Sequence, residues 1–258
     1  MPPGYWNSVG SRPSPAWYLD PLVAAQKRQV HQELIRRWAG PVIPRRFLKT
    51  DLFEEAGNGD RLLFDLLPQA TAIGMDVAPS IVRGAAARAA GSNCRFLACD
   101  VRQLALASGS LDLVVSTSTL DHFDRVEDVR SALNELARVL RPGGRLIVTL
   151  DNPLNPIYFV LRMICRMRFA PFKLGVTLSA REMSWELTGM GLAVEDTSLL
   201  IHNPRLLSTL AFLALRRLLG RNADRPIAWL LAVFAASDRL PTRRYTACFN
   251  AVCARKPA

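Results

Sequence analysis

Cysteine in this chain is sparse and unpaired. The five thiols, Cys94, Cys99, Cys165, Cys248 and Cys253, are odd in number and contain no CxxC pair, which excludes a zinc module and a disulfide scaffold. They read as small buried hydrophobes of a reducing compartment. No apolar run approaches the roughly 18–20 residues needed to span a bilayer. The opening residues lack a basic segment followed by an apolar stretch, so no secretory signal is expected. Histidine is limited to His31, His122 and His202, so any imidazole chemistry has few candidates. No repeat of solenoid or propeller period occurs. These absences predict a cytoplasmic protein.

What is present is a 258-residue chain, half hydrophobic, with a formal charge of +11. Such a length suits one large domain or a domain with an elaborate cap. Residues 1–150 carry 18 Lys and Arg against 15 Asp and Glu, whereas residues 151–258 carry 15 against 7. The surplus therefore sits in the C-terminal part, where an anionic substrate, nucleic acid or an anionic membrane surface would account for it.

The pattern predicts a helix over 20–38, ended by Gly40-Pro41. Strands are expected at 47–51, 71–76 and 95–100, each closing on an acid: Asp51, Asp76 and Asp100. A helix is expected over 80–90 between the second and third. The fourth strand is the run Leu113-Val114-Val115 opened by Asp112, short and β-branched like a buried parallel strand. It ends in Ser116, Thr117, Ser118 and Thr119, followed by Asp121 and His122. An amphipathic helix over 127–140 leads through Arg141-Pro142-Gly143-Gly144 to a fifth strand at 145–150. Strands alternating with helices at this spacing imply right-handed βαβ units. Later helices are expected at 157–169, at 180–188 behind a Ser179/Glu182 capping box, at 206–219 and at 227–240. Strands are expected at 192–201 and 245–254.

In open α/β sheets ligands sit at the carboxyl ends of the strands. The acids and hydroxyls above fall there. A carboxylate at the second strand end has two oxygens for the two hydroxyls of a ribose. One at the third can accept from an adenine amino group.

These motifs, in this order, resemble the class I S-adenosylmethionine-dependent methyltransferases. Ile73-Gly74-Met75-Asp76-Val77-Ala78-Pro79 is similar to the family's second motif, Cys99-Asp100-Val101 to its third, and Leu111-Asp112-Leu113-Val114-Val115-Ser116 to its fourth. Arg138 to Gly144 resembles the turn before strand five. The resemblance covers about 45–202 and the final strand. It implies a Rossmann-like, doubly wound, mostly parallel seven-stranded sheet with an antiparallel last strand. It also implies S-adenosylmethionine as cofactor, held by Asp51, Asp76, Val77, Asp100, Val101, Ser116 and Thr117.

The first motif departs from the family. The expected glycine-rich loop reads Lys49-Thr50-Asp51-Leu52-Phe53-Glu54-Glu55-Ala56, without glycine before Gly57. Glu54 and Glu55 are candidates for the cofactor's ammonium, or are helix-start acids. His122, six residues beyond Ser116, is the candidate general base, with Asp121 orienting it or touching the acceptor. The alternative for both is a structural role at the following helix. Asp151-Asn152 resembles the metal-binding pair of catechol-type O-methyltransferases, with Asp121 as a further candidate ligand, and no metal site is predicted. Asn152-Pro153-Leu154-Asn155-Pro156 follows strand five rather than strand four, and the basic part lacks interleaved aromatics, so nucleic acid is not the expected substrate.

The predicted organisation is an N-terminal extension and cap helix over 1–44. The methyltransferase domain spans 45–258, with helical insertions at about 152–190 and 203–243. The insertions are apolar and carry Arg162, Arg166, Arg216 and Arg217. They pack on one another or form a lid over a hydrophobic acceptor such as a lipid, quinone or polyketide, with peripheral contact to an anionic membrane as a further expectation. The rival reading is a methyltransferase-like scaffold that has lost its cofactor pocket.

Overall fold

The computed structural model describes residues 6–7, 20–40, 44–57, 61–89, 91–165 and 174–258. Its strands are β1 (Arg46–Thr50), β2 (Thr71–Asp76), β3 (Cys94–Ala98), β4 (Leu111–Thr117), β5 (Leu140–Asp151), β6 (Ala193–Leu200) and β7 (Phe249–Arg255). They form one sheet in the order β3-β2-β1-β4-β5-β7-β6. The first five are parallel. β7 lies antiparallel between β5 and β6. This is the doubly wound sheet with an antiparallel last strand that the motif order implies.

Both faces of the sheet are buried, and neighbouring residues divide between them. Phe47, Leu113, Val115 and Ile147 enter one core. Leu48, Val114, Leu146 and Val148 enter the other. That alternation is the period of two of a strand, and continuous apolar runs are what a covered parallel sheet requires. Helix α1 (Pro21–Ala39) brings Leu34, Ile35 and Trp38 to the first core. Short helices α2 (Phe53–Ala56) and α3 (Leu62–Asp65) follow β1, and α4 (Pro79–Arg88) follows β2. Helix α5 (Val126–Val139) buries Val129, Leu133 and Leu136 in the second core. Truncating one of these leucines to alanine costs about 2–5 kcal/mol.

After β5 come α6 (Pro156–Cys165), α7 (Ala180–Gly189), α8 (Arg205–Leu219), α9 (Asp224–Ala236) and α10 (Arg243–Thr246). Asp20 caps α1 by accepting from the Leu22 N–H at 2.9 Å. It also accepts from Arg216 at 2.6 Å, tying α8 to the start of α1. Ser179 and Glu182 form the expected capping box of α7.

Several boundaries differ from expectation. β3 ends at Ala98, two residues before Asp100. β5 begins at Leu140, because the Gly143 N–H donates to the Lys256 carbonyl at 2.8 Å and the Lys256 N–H to Gly144 at 2.9 Å. β7 begins at Phe249 rather than 245. Asn152 and Asn155 draw in the carbonyls of Arg244, Thr246 and Ala247, folding α10 in place of extended chain. The helix expected to reach 240 stops at Ala236 and tightens into a 3-10 turn, Ser237–Arg239. The expected segment 166–169 lies outside the described residues.

Candidate active site

Backbone strain marks one end of the sheet. Among the described residues, three non-glycines take positive φ: Asp51 (63°), Ser118 (49°) and Ile201 (57°). Each directly follows a strand: β1, β4 and β6 respectively. For β-branched Ile201 this conformation is a genuine outlier. All three line the same large cleft, and strained backbone concentrates at functional sites.

Asp51 makes the turn after β1 that a glycine would otherwise make. Short polar side chains tolerate this conformation by bonding locally, and here the Phe53 N–H donates to Asp51 Oδ1 at 2.8 Å. Burial pushes the Asp51 carboxyl up, and the Lys49 ammonium partly offsets it. Lys49 donates to the Asp51 carbonyl and pairs with Glu55 at 3.0 Å.

The first cleft, of about 80 Å³, lies over β2 and the loop after β3. Asp76 stands on its floor. Its Oδ2 accepts from the Leu52 N–H at 3.0 Å and its Oδ1 from the Ala78 N–H at 2.9 Å. A carboxylate has about four lone-pair sites, so each oxygen keeps one for a ribose hydroxyl. Val77, Ile81, Val101 and Phe123 supply apolar walls. Asp100 also lines this cleft, but the Arg102 guanidinium grips it at 2.6–3.1 Å and holds its carboxyl below the usual range. This donor and wall set fits an adenosine group. The Trp6 ring packs against that of His122, tilted by 60°, with 4.8 Å between ring centroids.

The second cleft, of about 860 Å³, runs between α1, α8 and the ends of β4 and β5. That volume is in the range of small-molecule sites. Leu161, Leu174, Leu206, Phe212, Leu213 and Phe249 give it an apolar wall. Its floor is polar. Asp121, in a 3-10 turn (Leu120–His122), is 2 % exposed. Its Oδ2 accepts from the Asp151 N–H at 3.0 Å, while its Oδ1 has no hydrogen-bond partner among the described residues. Burial, and then the charge of Asp151, push its carboxyl up to about 6. Asp151 pairs with Arg205 at 2.5 Å. The turn is pinned from above: the Gly175 N–H donates to the Asp121 carbonyl at 2.8 Å and the Val176 N–H to Phe123 at 2.7 Å. A Cβ at Gly175 would lie 2.0 Å from the Phe123 carbonyl oxygen.

Asp51 and His122 are the residues common to both clefts. Of the other sequence candidates, Asp76, Val77, Asp100 and Val101 line the first cleft. Glu54 lines the second and pairs with Lys27 of α1 at 2.5 Å. Glu55 departs from its expected place. It is fully buried, bound to Lys49 and accepting from the Leu63 N–H at 3.2 Å, and it faces structural partners. Ser116 is likewise buried in β4, bonded to Thr50 at 3.0 Å. Thr117 faces a small cavity of about 40 Å³ beside Lys27, His31 and Lys49. Sequence reasoning missed Arg205 and Trp6 altogether. It weighed Asp151 only as half of a metal pair, although Asp151 ends its strand as Asp76 does. Arg205 carries no local signal: it meets Asp151 on the cleft floor only because the start of α8 lies beside the end of β5. Asn152 Nδ2 donates to the carbonyls of Arg244 and Ala247.

Residues 55–148 match the family described as Methyltransferase domain. The chain is 35% identical over 127 residues to malonyl-[acyl-carrier protein] O-methyltransferase of Methylococcus capsulatus, covering 48% of this chain and 44% of that protein. It is 37% identical over 115 residues to demethylmenaquinone methyltransferase of Thermus thermophilus, covering 44% and 50%. The chain thus spans about half the length of these curated relatives. Among solved structures, N-methyltransferase NodS of Bradyrhizobium japonicum in complex with S-adenosyl-L-homocysteine superposes with a TM-score of 0.61 at 15% identity, covering 99% of this chain and 98% of that one.

Proposed function

We infer that the chain is a class I S-adenosylmethionine-dependent methyltransferase that moves a methyl group to a small, apolar acceptor held in the second cleft. The observation that carries this is the pair Asp51 and His122, which stand where the two clefts meet. A group bound in the first cleft and one bound in the second would face each other there.

S-adenosylmethionine, when bound, supplies an electrophilic methyl on a sulfonium. The remaining work is the protein's: alignment, exclusion of water and removal of a proton. Asp76 would hold the ribose through its two remaining lone-pair sites. Val77 and Val101 would flank the base. Asp51 and Glu54 offer carboxylates toward the ammonium of the methionine part. Asp51 keeps the turn of the first motif without a glycine, which supports a working pocket over the scaffold reading. His122 takes the acceptor's proton, and its face is fixed by Trp6. Asp121 positions the acceptor: with a carboxyl raised to about 6, it is poised to accept or donate a hydrogen bond through Oδ1.

The apolar wall supports a lipid-, quinone- or polyketide-like acceptor. One of the two relatives is named for demethylmenaquinone, a quinone, which agrees with that class. Such acceptors partition into bilayers, so peripheral contact with an anionic membrane belongs to the same reading. No helix among the described residues is long and apolar enough to cross a membrane. The test is transfer of labelled methyl to a panel of long-chain acyl, prenylquinone and polyketide acceptors, followed by mass spectrometry. Label on one of these, lost in His122→Gln, supports the reading. Label only on hydrophilic acceptors contradicts it.

A further inference from the structure

The surface hydrophobics are not scattered. Among the described residues, fifteen of the sixteen large exposed ones lie in two stretches, 154–164 and 206–245, and Trp185 is the exception. On α6 the stripe is Phe159, Val160, Met163 and Ile164, opposite buried Tyr158 and Leu161. On α8 it is Leu207, Leu210 and Leu218, opposite Phe212. On α9 it is Trp229 and Val233, opposite Ile227 and Leu231. Phe159 is 67% exposed, Trp229 65% and Leu218 79%. α8 contacts both α6 and α9.

The charge of the same region has one sign. Residues 205–244 hold eight arginines and two acids, Asp224 and Asp238. Asp224 is taken by Arg216 at 2.6 Å, and Asp238 faces His202 and Arg243. Arg217, Arg221, Arg225 and Arg239 have no carboxylate partner among the described residues. Unpaired arginines around exposed leucine, phenylalanine and tryptophan match an anionic bilayer surface: rings and leucines enter the acyl boundary and guanidiniums stay with the headgroups. A second copy of this chain fits worse, because a two-fold interface would set one arginine patch against another. The patch is also continuous with the acceptor cleft, since Leu206 and Leu213 are both exposed and part of its wall.

We propose that the exposed faces of α6, α8 and α9, with Arg217, Arg221 and Arg225, form a docking surface for anionic membrane that opens the second cleft toward bilayer-borne acceptor. The cleft's role rests on the methyl-transfer reading; the docking surface stands without it.

The experiment is co-sedimentation of the full chain with vesicles of phosphatidylcholine, and of phosphatidylcholine containing about 30 mol% phosphatidylglycerol, at low and high salt. Binding of S-adenosyl-L-homocysteine, read by calorimetry, reports that each variant is folded. The proposal expects binding to the anionic vesicles, weakened by salt. It expects about a fivefold loss of partitioning for each of Arg217→Gln, Arg221→Gln and Arg225→Gln. The combined Leu207→Glu, Leu210→Glu, Trp229→Glu variant should lose vesicle binding and keep cofactor-product affinity. Equal or absent binding to the two vesicle types overturns it, as does a stable dimer that the same triple variant dissolves. Vesicle binding without methyl transfer to any acceptor would defeat the functional reading and leave the surface standing. Methyl transfer without vesicle binding would do the reverse.

Discussion

Replacing Asp121 by asparagine tests the electrostatics of the cleft floor. The side chain is buried, and its carboxyl is raised from 3.8 to about 6 by burial and then by Asp151. A raised carboxyl means that the folded chain binds the proton more tightly than the unfolded one. The stabilisation is complete below about pH 4 and is lost as pH rises through 6. A shift of roughly two units corresponds to about 3 kcal/mol. Asparagine keeps an oxygen for the Asp151 N–H and removes the charge. Any constant cost of the unpaired amide is the same at every pH, so the informative quantity is the difference between pH values. The variant should gain about 3 kcal/mol relative to the parent between pH 4 and pH 8. His31 works in the opposite sense. Burial, with Lys27 beside it, lowers its imidazole from 6.5 to about 4, so its contribution is present above 6.5 and lost as pH falls toward 4. Without the opposing Asp121 contribution, Asp121→Asn should lose stability more steeply than the parent as pH falls from 8 to 4. Urea unfolding at closely spaced pH values measures both curves. Parallel curves for parent and variant would refute the argument.

Three further substitutions probe the site. Asp76→Ala removes the proposed ribose acceptors and leaves the Leu52 and Ala78 N–H groups unpaired; S-adenosyl-L-homocysteine affinity should fall at least about 100-fold by calorimetry, and unchanged affinity would remove Asp76 from the cofactor site. His122→Gln should lower kcat about 100-fold or more while leaving product affinity within a few-fold; an unchanged kcat would exclude the base. Gly175→Ala forces a Cβ against the Phe123 carbonyl and should destabilise the fold by about 1–3 kcal/mol, seen as a Tm lower by several degrees; a Tm equal to the parent's would show that the segment yields freely.

Much of the sheet was legible because its strands are short apolar runs closed by acids. β2 was placed end to end on Thr71–Asp76, and Asp76 stands in the cleft where its motif predicts. The fourth strand's polar tail is followed by Asp121 and His122, which line the second cleft. Legibility failed where partners come from distant sequence. Glu55 looks like a surface acid in one dimension, but Lys49 and the Leu63 N–H bury it. Asp100 looks free until Arg102 is seen to hold both its oxygens. Arg205 reaches Asp151 across 54 positions, which no local pattern announces. The missing glycine of the first motif is explained by conformation: Asp51 adopts the left-handed turn itself, stabilised by the Phe53 N–H.

The central claim is that the first cleft still binds the family's cofactor despite its altered motif. Calorimetric titration of the folded chain with S-adenosyl-L-homocysteine tests it most directly. The account predicts saturable one-to-one binding that Asp76→Ala abolishes. A folded chain that releases no heat of binding and gains no thermal stability from the ligand would contradict it.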